Sequence, residues 1–391
     1  MNWNDKTAAN VKAIKPSGIR KFFDIAAQVK GVLSLSIGEP DFAAPDKVLA
    51  AMKASLDAKE TSYTGNSGMM ELREAISHHF EQRYGVHYDP KDEILVTVGV
   101  SEGLAMALLA ITEPGDEVII PDPAYVAYPA SVELAGGTPV FVPTYPEHDF
   151  KLTVEALEKV ITPKTKAIVI GYPNNPTGTV MSAEELMPIA KFAEEHDLIG
   201  LSDEIYCELM YGDAKFTSFA KLPGMRERTV IFNGFSKAYA MTGMRLGYVC
   251  APREGLAPIL KLHQYAIMCA NTTAQVGGIT ALKECDDDVE AMRQEYDRRR
   301  KVIYKGLCDM GLPVFEPKGA FYIFPDIRCT GMTSAEFCEK LVQEEKVAVV
   351  PGTAFGDQGE GFVRISYAAS MDTIQEALKR MARFVAQYRK D

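Results

Sequence analysis

Short apolar stretches alternate with helix-like text along most of the chain. Glu93–Val98 is a nearly unbroken apolar strand, followed by a glycine turn and an apolar helix from about Ser101. DEVIIPDPAYVAYPASVELAGG repeats strand, turn and helix, and TPVFVPTY adds a strand. TKAIVIGYPNNPTG reads as a buried strand ending in a Pro/Asn/Gly loop, and AEELMPIAKFAEEHDLIGLSDEIY as an amphipathic helix followed by strand Leu198–Ser202. TVIFNGFSK and RLGYVCAP supply two more strands around a short connection. Continuous apolar strands alternating with helices predict a mostly parallel α/β sheet covered on both faces. The pattern changes near residue 285, where helical text (ECDDDVEAMRQEYDRRRKVIYKGLCDMG) leads into the short strands KGAFYIFPDI, KVAVVPG and GFVRISYA and a closing helix Asp372–Arg389. The expected organisation is a large α/β domain over residues 46–285 and a smaller α+β domain made of residues 1–45 with 286–391.

Composition narrows the function classes. The 391 residues are 47% apolar and 24% charged, an ordinary globular balance that excludes disorder. With 42 Lys plus Arg against 53 Asp plus Glu, the net charge of −11 and the lack of a long basic run argue against nucleic-acid binding. Seven cysteines, an odd number with no C-x-x-C pair, argue for reduced thiols and against a zinc knuckle, and no other metal site is expected. The first residues contain no apolar stretch of signal-peptide type, and the longest uncharged run, Gln264–Leu282, is too polar for a membrane span. The expected location is the cytoplasm, with no membrane partner.

Gly99-Val100-Ser101-Glu102-Gly103 matches G-x-S-x-G between a strand and a helix, the setting of a hydrolase nucleophile elbow. A serine hydrolase using Ser101 also needs a histidine late in the chain, and the last one here is His263. The alternative keeps the geometry without the nucleophile: a glycine turn opening a helix presents free backbone N–H groups to a phosphate. Thr229–Pro252 holds two cations, Lys237 and Arg245, and no acid. A lysine among Phe235, Ser236, Ala238 and Tyr239 is poorly solvated, which lowers its pKa towards a nucleophilic amine; the plainer reading is a stem snorkelling to the surface. Ser236 and Arg245 both suit a phosphate monoester. Asp203, at the end of a strand, could pair with a protonated ring nitrogen or simply cap a helix, and Tyr206 could reach the same ligand. Asn175 also follows a strand end, where alone it is an ordinary turn residue. An amine, an anion, phosphate donors, an amide and a phenol together fit pyridoxal 5′-phosphate (PLP).

FNGFSKAYAMTGMRLGY, YPNNPTG, SDEIY, GEPDF and FVRISYA, in this family's order, make the chain resemble a fold-type I PLP enzyme of the class I aminotransferases, from about residue 15 to about 385. It is most similar to the branch of aromatic amino acid and N-acetyl-diaminopimelate aminotransferases, which share the KPSGIRKFFD opening. The resemblance implies a sheet of the seven-stranded type and assigns roles by position. Lys237 resembles the Schiff-base lysine and Asp203 the partner of the pyridine nitrogen. Asn175 and Tyr206 resemble the pair on the ring oxygen, and Tyr125 the stacked aromatic. Ser236, Arg245 and the backbone N–H groups of Ser101 and Glu102 resemble the phosphate ligands. Tyr63 resembles a tyrosine that reaches a neighbouring subunit's phosphate, which implies a homodimer. Arg364 resembles the arginine that forks onto the substrate carboxylate, with Gly38 backbone beside it. The implied activity is ping-pong transfer of an amino group from an L-amino acid to a 2-oxo acid such as 2-oxoglutarate, in amino acid metabolism, with a PLP-dependent C–S β-lyase as the alternative. Ser101 stands where aspartate-specific relatives carry a lysine, which favours aromatic or other neutral donors, and Arg20 could be a second cation or a solvated charge.

Overall fold

The computed structural model describes residues 1–14, 18 and 29–390. Arg20 and most of the KPSGIRKFFD segment lie outside the described residues.

Past a short strand β1 (Leu33–Ser34), seven strands build the main sheet: β2 (Ile94–Thr97), β3 (Glu117–Asp122), β4 (Thr138–Pro143), β5 (Thr165–Ile170), β6 (Ile199–Asp203), β7 (Thr229–Gly234) and β8 (Gly247–Cys250). Their spatial order is β2-β8-β7-β6-β5-β3-β4. Only β8 runs antiparallel to its neighbours, so the sheet is mixed and mostly parallel. The period-2 alternation explains why the strands read as unbroken apolar text. Leu95, Val118, Ile120 and Phe232 face one apolar layer, while Ile94, Val96, Ile119 and Ile231 face the other. Both faces are covered, so nearly every position must be apolar.

The helix expected from Ser101 begins two residues earlier, at Gly99. Gly99 takes φ +74°, and a Cβ there would lie 2.9 Å from Arg245 Nη2, so only glycine opens this turn under that guanidinium. The long uncharged run contains a helix, Thr272–Glu284. Its Gly277 and Gly278 sit where a Cβ would meet Met52 Cγ at 2.9 Å and Leu246 Cδ2 at 2.7 Å. Close approach of neighbouring elements outweighs the low helix propensity of glycine here.

The C-terminal part adds a three-stranded antiparallel sheet, with β11 (Val350–Pro351) and β9 (Tyr322–Ile323) on either side of β12 (Val363–Ser366). β1 pairs in parallel with β10 (Val347–Ala348). Helices Asp286–Asp309, Ser334–Glu345 and Met371–Tyr388 pack on these strands through Tyr296, Ile303, Phe337, Leu341, Ile374 and Phe384. The same apolar cluster takes in Tyr206 and Leu209, which follow β6, so the seam between the two sheets runs beside the carboxyl ends of the main sheet. Among the described residues no helix is long and apolar enough to cross a membrane.

Candidate active site

The carboxyl ends of parallel strands are where an open α/β sheet leaves a crevice for ligands. A cavity of ≈ 330 Å³ opens there. It is lined by Gly38, Ser101, Tyr125, Asn175, Asp203, Tyr206, Ser236, Lys237, Arg245 and Arg364, residues that lie at or just after the ends of β1, β2, β3, β5 and β6, in the connection from β7 to β8, and on the C-terminal strand Val363–Ser366.

Lys237 lies on the turn after β7, and its Nζ donates to the Gly38 carbonyl at 2.6 Å. It keeps some contact with solvent through the cavity mouth. Burial nevertheless pushes its ammonium down to about 8, with the nearby Arg364 charge adding to the effect. Asp203 is the last residue of β6 and is 9% exposed. One oxygen accepts from the Tyr128 hydroxyl at 2.8 Å and the other from the Ile205 N–H at 3.3 Å. Burial raises its pKa, and these two donors oppose that shift.

Arg364, on β12, is 2% exposed and forms no ion pair with a described carboxylate. Its Nη1 donates to Asn175 Oδ1 at 3.1 Å and its Nη2 to the Ser36 carbonyl at 2.6 Å, while Nε has no partner among the described residues. The guanidinium lies 4.7 Å from the Tyr322 ring centroid and 4.8 Å from that of Phe355. A buried cation held only by neutral groups is a site for an anion. The Tyr206 and Tyr322 hydroxyls share a hydrogen bond of 2.7 Å. A Cβ at Gly38 would lie 2.6 Å from Tyr322 Oη, so the backbone at 38 must be bare to approach this phenol.

Two expected residues do not line the cavity. The Glu102 side chain turns away: one oxygen meets His263 Nδ1 at 2.6 Å and the other accepts from the Val98 N–H at 2.5 Å. Its backbone N–H stays in the first helical turn, where such groups have no intrahelical partner. Tyr63 is 80% exposed on the surface. Conversely, Glu39, Tyr128, Thr242 and Tyr322 line the cavity without having been read from the sequence. Tyr322, in KGAFYIFPDI, and Tyr128, in AYVAYPASVEL, look like packing residues in one dimension.

The residues fit a phosphorylated pyridine aldehyde. Lys237 is a depressed amine, Asp203 a buried carboxylate, and Arg364 a cation with no ion-pair partner among the described residues, while the Gly99 turn is a cradle that a Cβ would fill. Such a fold and cavity define a PLP-dependent fold-type I enzyme. The chain belongs to the family "Aminotransferase class I and II", whose family model matches residues 30–381. It is 53% identical over 375 residues to a putative aminotransferase, YugH, of Bacillus subtilis, covering 96% of this chain and 97% of that one. It is 50% identical over 376 residues to an aspartate aminotransferase of Pyrococcus abyssi, again covering 96% and 97%. Among solved structures it superposes on an aromatic aminotransferase from Pyrococcus horikoshii with a TM-score of 0.90 and 48% identity, over 94% of this chain and 99% of that one. The protein is therefore a PLP-dependent transaminase acting on amino acids and 2-oxo acids, and the family favours this over C–S β-lyase chemistry. The serine-hydrolase reading falls with it; among the described residues no histidine bonds Ser101, and His263 is engaged by Glu102.

Proposed function

We propose that this enzyme takes the amino group from an aromatic or other neutral L-amino acid and passes it to a 2-oxo acid such as 2-oxoglutarate, in a biosynthetic branch of amino acid metabolism. The observation that carries the reading is one cavity holding a lysine with its pKa at about 8, a buried carboxylate and a buried arginine with no carboxylate partner among the described residues. PLP, when bound, supplies an aldehyde carbon and a ring that accepts electrons from the substrate Cα.

The chain's own groups divide the remaining work. With PLP bound, Lys237 Nζ, about half neutral at pH 8, would take the proton from the substrate Cα and hold it for return. Asp203 holds a proton on the ring nitrogen. The Asn175 amide N–H and the Tyr206 hydroxyl donate to the ring oxygen; Asn175 is turned for this because its carbonyl oxygen already accepts from Arg364. Ser236, Arg245 and the first-turn N–H groups of Ser101 and Glu102 receive the phosphate, and Tyr125 covers the ring. Arg364 forks onto the substrate α-carboxylate next to Gly38.

The preference for a neutral side chain rests on the described cations of the cavity. Lys237, Arg245 and Arg364 each have a role already, and Ser101 adds no charge. The test is a donor series against 2-oxoglutarate, scored by kcat/KM. Aromatic donors should exceed aspartate by about ten-fold or more, the usual worth of matching a charge or leaving it unpaired. Faster aspartate turnover, or turnover that persists without any 2-oxo acid, would refute the reading.

The exposed Tyr63 further leads us to a cytoplasmic homodimer in which this phenol reaches the phosphate of the neighbouring copy. We also keep the division into residues 46–285 and residues 1–45 with 286–391 as the two bodies that flank the cavity. Tyr63→Phe should weaken PLP retention about ten-fold or more, the worth of one hydrogen bond to an anion, without changing the dimer. Equilibrium dialysis beside sedimentation checks this. Weakened retention in a demonstrable monomer would end the cross-subunit role.

A further inference from the structure

Asp203 is held from behind by Tyr128, a residue with no role in the reading above. Both side chains are buried, at 9% and 5% exposure, and the phenol donates to Asp203 Oδ2 at 2.8 Å. Tyr128 starts near the head of helix Ala127–Leu134 and reaches across the end of β5. A Cβ at Gly171 would lie 2.9 Å from the Tyr128 hydroxyl, so the path of the phenol depends on glycine there. The Tyr128 ring also meets Tyr125 edge-on, with centroids 5.6 Å apart and an angle of 84°. One side chain thus touches both the carboxylate and the aromatic proposed to cover the cofactor ring.

We infer that Tyr128 is a positioning residue: its hydroxyl orients the Asp203 carboxylate towards the cofactor's ring nitrogen and keeps it an anion. The inference rests on the proposed role of Asp203. A buried carboxylate loses hydration, so its charged form needs donors. Apart from the Ile205 N–H, the titratable groups around Asp203 are Tyr128, Tyr125, Tyr206, Lys237 and Glu204. Of these only Tyr128 donates a hydrogen bond to it. Burial and the neighbouring carboxylate push the Tyr128 phenol well above its usual range, so it remains a donor wherever the enzyme works. A packing role would be met equally by phenylalanine; the hydroxyl adds only the bond to Asp203.

The test uses the PLP-loaded enzyme and its Tyr128→Phe, Asp203→Asn and doubly substituted forms. Two quantities are read: the PLP dissociation constant, and the pH at which the bound cofactor's visible absorbance titrates. A ring nitrogen that holds its proton less firmly withdraws less charge, so that titration moves upward. Tyr128→Phe should move it in the same direction as Asp203→Asn and weaken PLP binding about ten-fold, while adding nothing once Asp203 is already Asn. If Tyr128→Phe leaves the titration in place while Asp203→Asn moves it, or if the two shifts simply add, the role of Tyr128 is refuted and that of Asp203 stands. If Asp203→Asn itself moves nothing, the assignment of Asp203 fails and takes this inference with it. Tyr128→Phe should still unfold cooperatively, at a temperature lowered only by the one lost bond to Asp203, since the ring's packing is retained.

Discussion

Lys237→Ala should abolish transamination while leaving a folded protein. The substitution removes the amine that meets the aldehyde and also the group that moves the proton at Cα. Proton transfer by a positioned side chain is worth about 10²–10⁴-fold on its own. With both functions gone, kcat should fall by about 10⁴-fold or more. Borohydride should fix PLP to the peptide carrying residue 237 in the wild type and to no peptide in the variant. The shifted pKa gives a second readout in the cofactor-free protein. A lysine titrating at about 8 should reach full reactivity towards an amine reagent about two pH units below exposed lysines, which keep gaining up to their ordinary value of about 10.4. The same shift makes a stability statement. The unfolded chain holds the proton at 237 up to a higher pH than the folded one, so folding stability should rise with pH between about 8 and 10.5. Wild-type turnover in Lys237→Ala, or a reactivity that follows the exposed lysines, would refute the central assignment.

Arg364→Lys should lower kcat/KM for an amino acid by about 10- to 100-fold. The charge is kept, but the planar fork is lost, and hydrogen bonds to charged groups are worth about 1.5–3 kcal/mol each. A lysine also cannot keep Nη1 on Asn175 and Nη2 on the Ser36 carbonyl together, so Asn175 loses the bond that orients its amide. Most of the loss should appear in KM, because the carboxylate is held in ground and transition states alike. An amine substrate of the same side chain without the carboxylate should react equally slowly with wild type and variant. An unchanged KM for the amino acid would remove Arg364 from substrate binding.

The parts of the site that were legible in one dimension share a physical cause. Lys237 stands in a segment with no acid to pair it, Asp203 ends an apolar strand, and the Gly99 turn opens a helix. In each case one short stretch carries both the chemistry and the local geometry that exposes it. Tyr128 and Tyr322 were not legible, because a tyrosine near apolar neighbours reads as core whichever way its hydroxyl turns. The partner of Tyr128 lies 75 residues away and that of Tyr322 lies 116 residues away, so nothing local marks either bond. Helices Asp46–Asp57, Met70–Tyr84 and Arg253–Ala266 likewise escaped the strand-centred pattern, and Thr272–Glu284 hid behind paired glycines.

The order of apolar strands and glycine turns was enough to determine the covered parallel sheet, because a strand buried on both faces leaves its mark on every residue. The five sequence blocks were enough to determine the family and the cofactor, because each block is contiguous. Only the tertiary structure decided that Arg364 lies buried without a carboxylate partner among the described residues, that Glu102 turns from the cavity to His263, and that a tyrosine stands behind Asp203. These are statements about desolvation and hydrogen-bond partners, and both are set by segments far apart in the chain that meet only when the sheet and the C-terminal part close on one another.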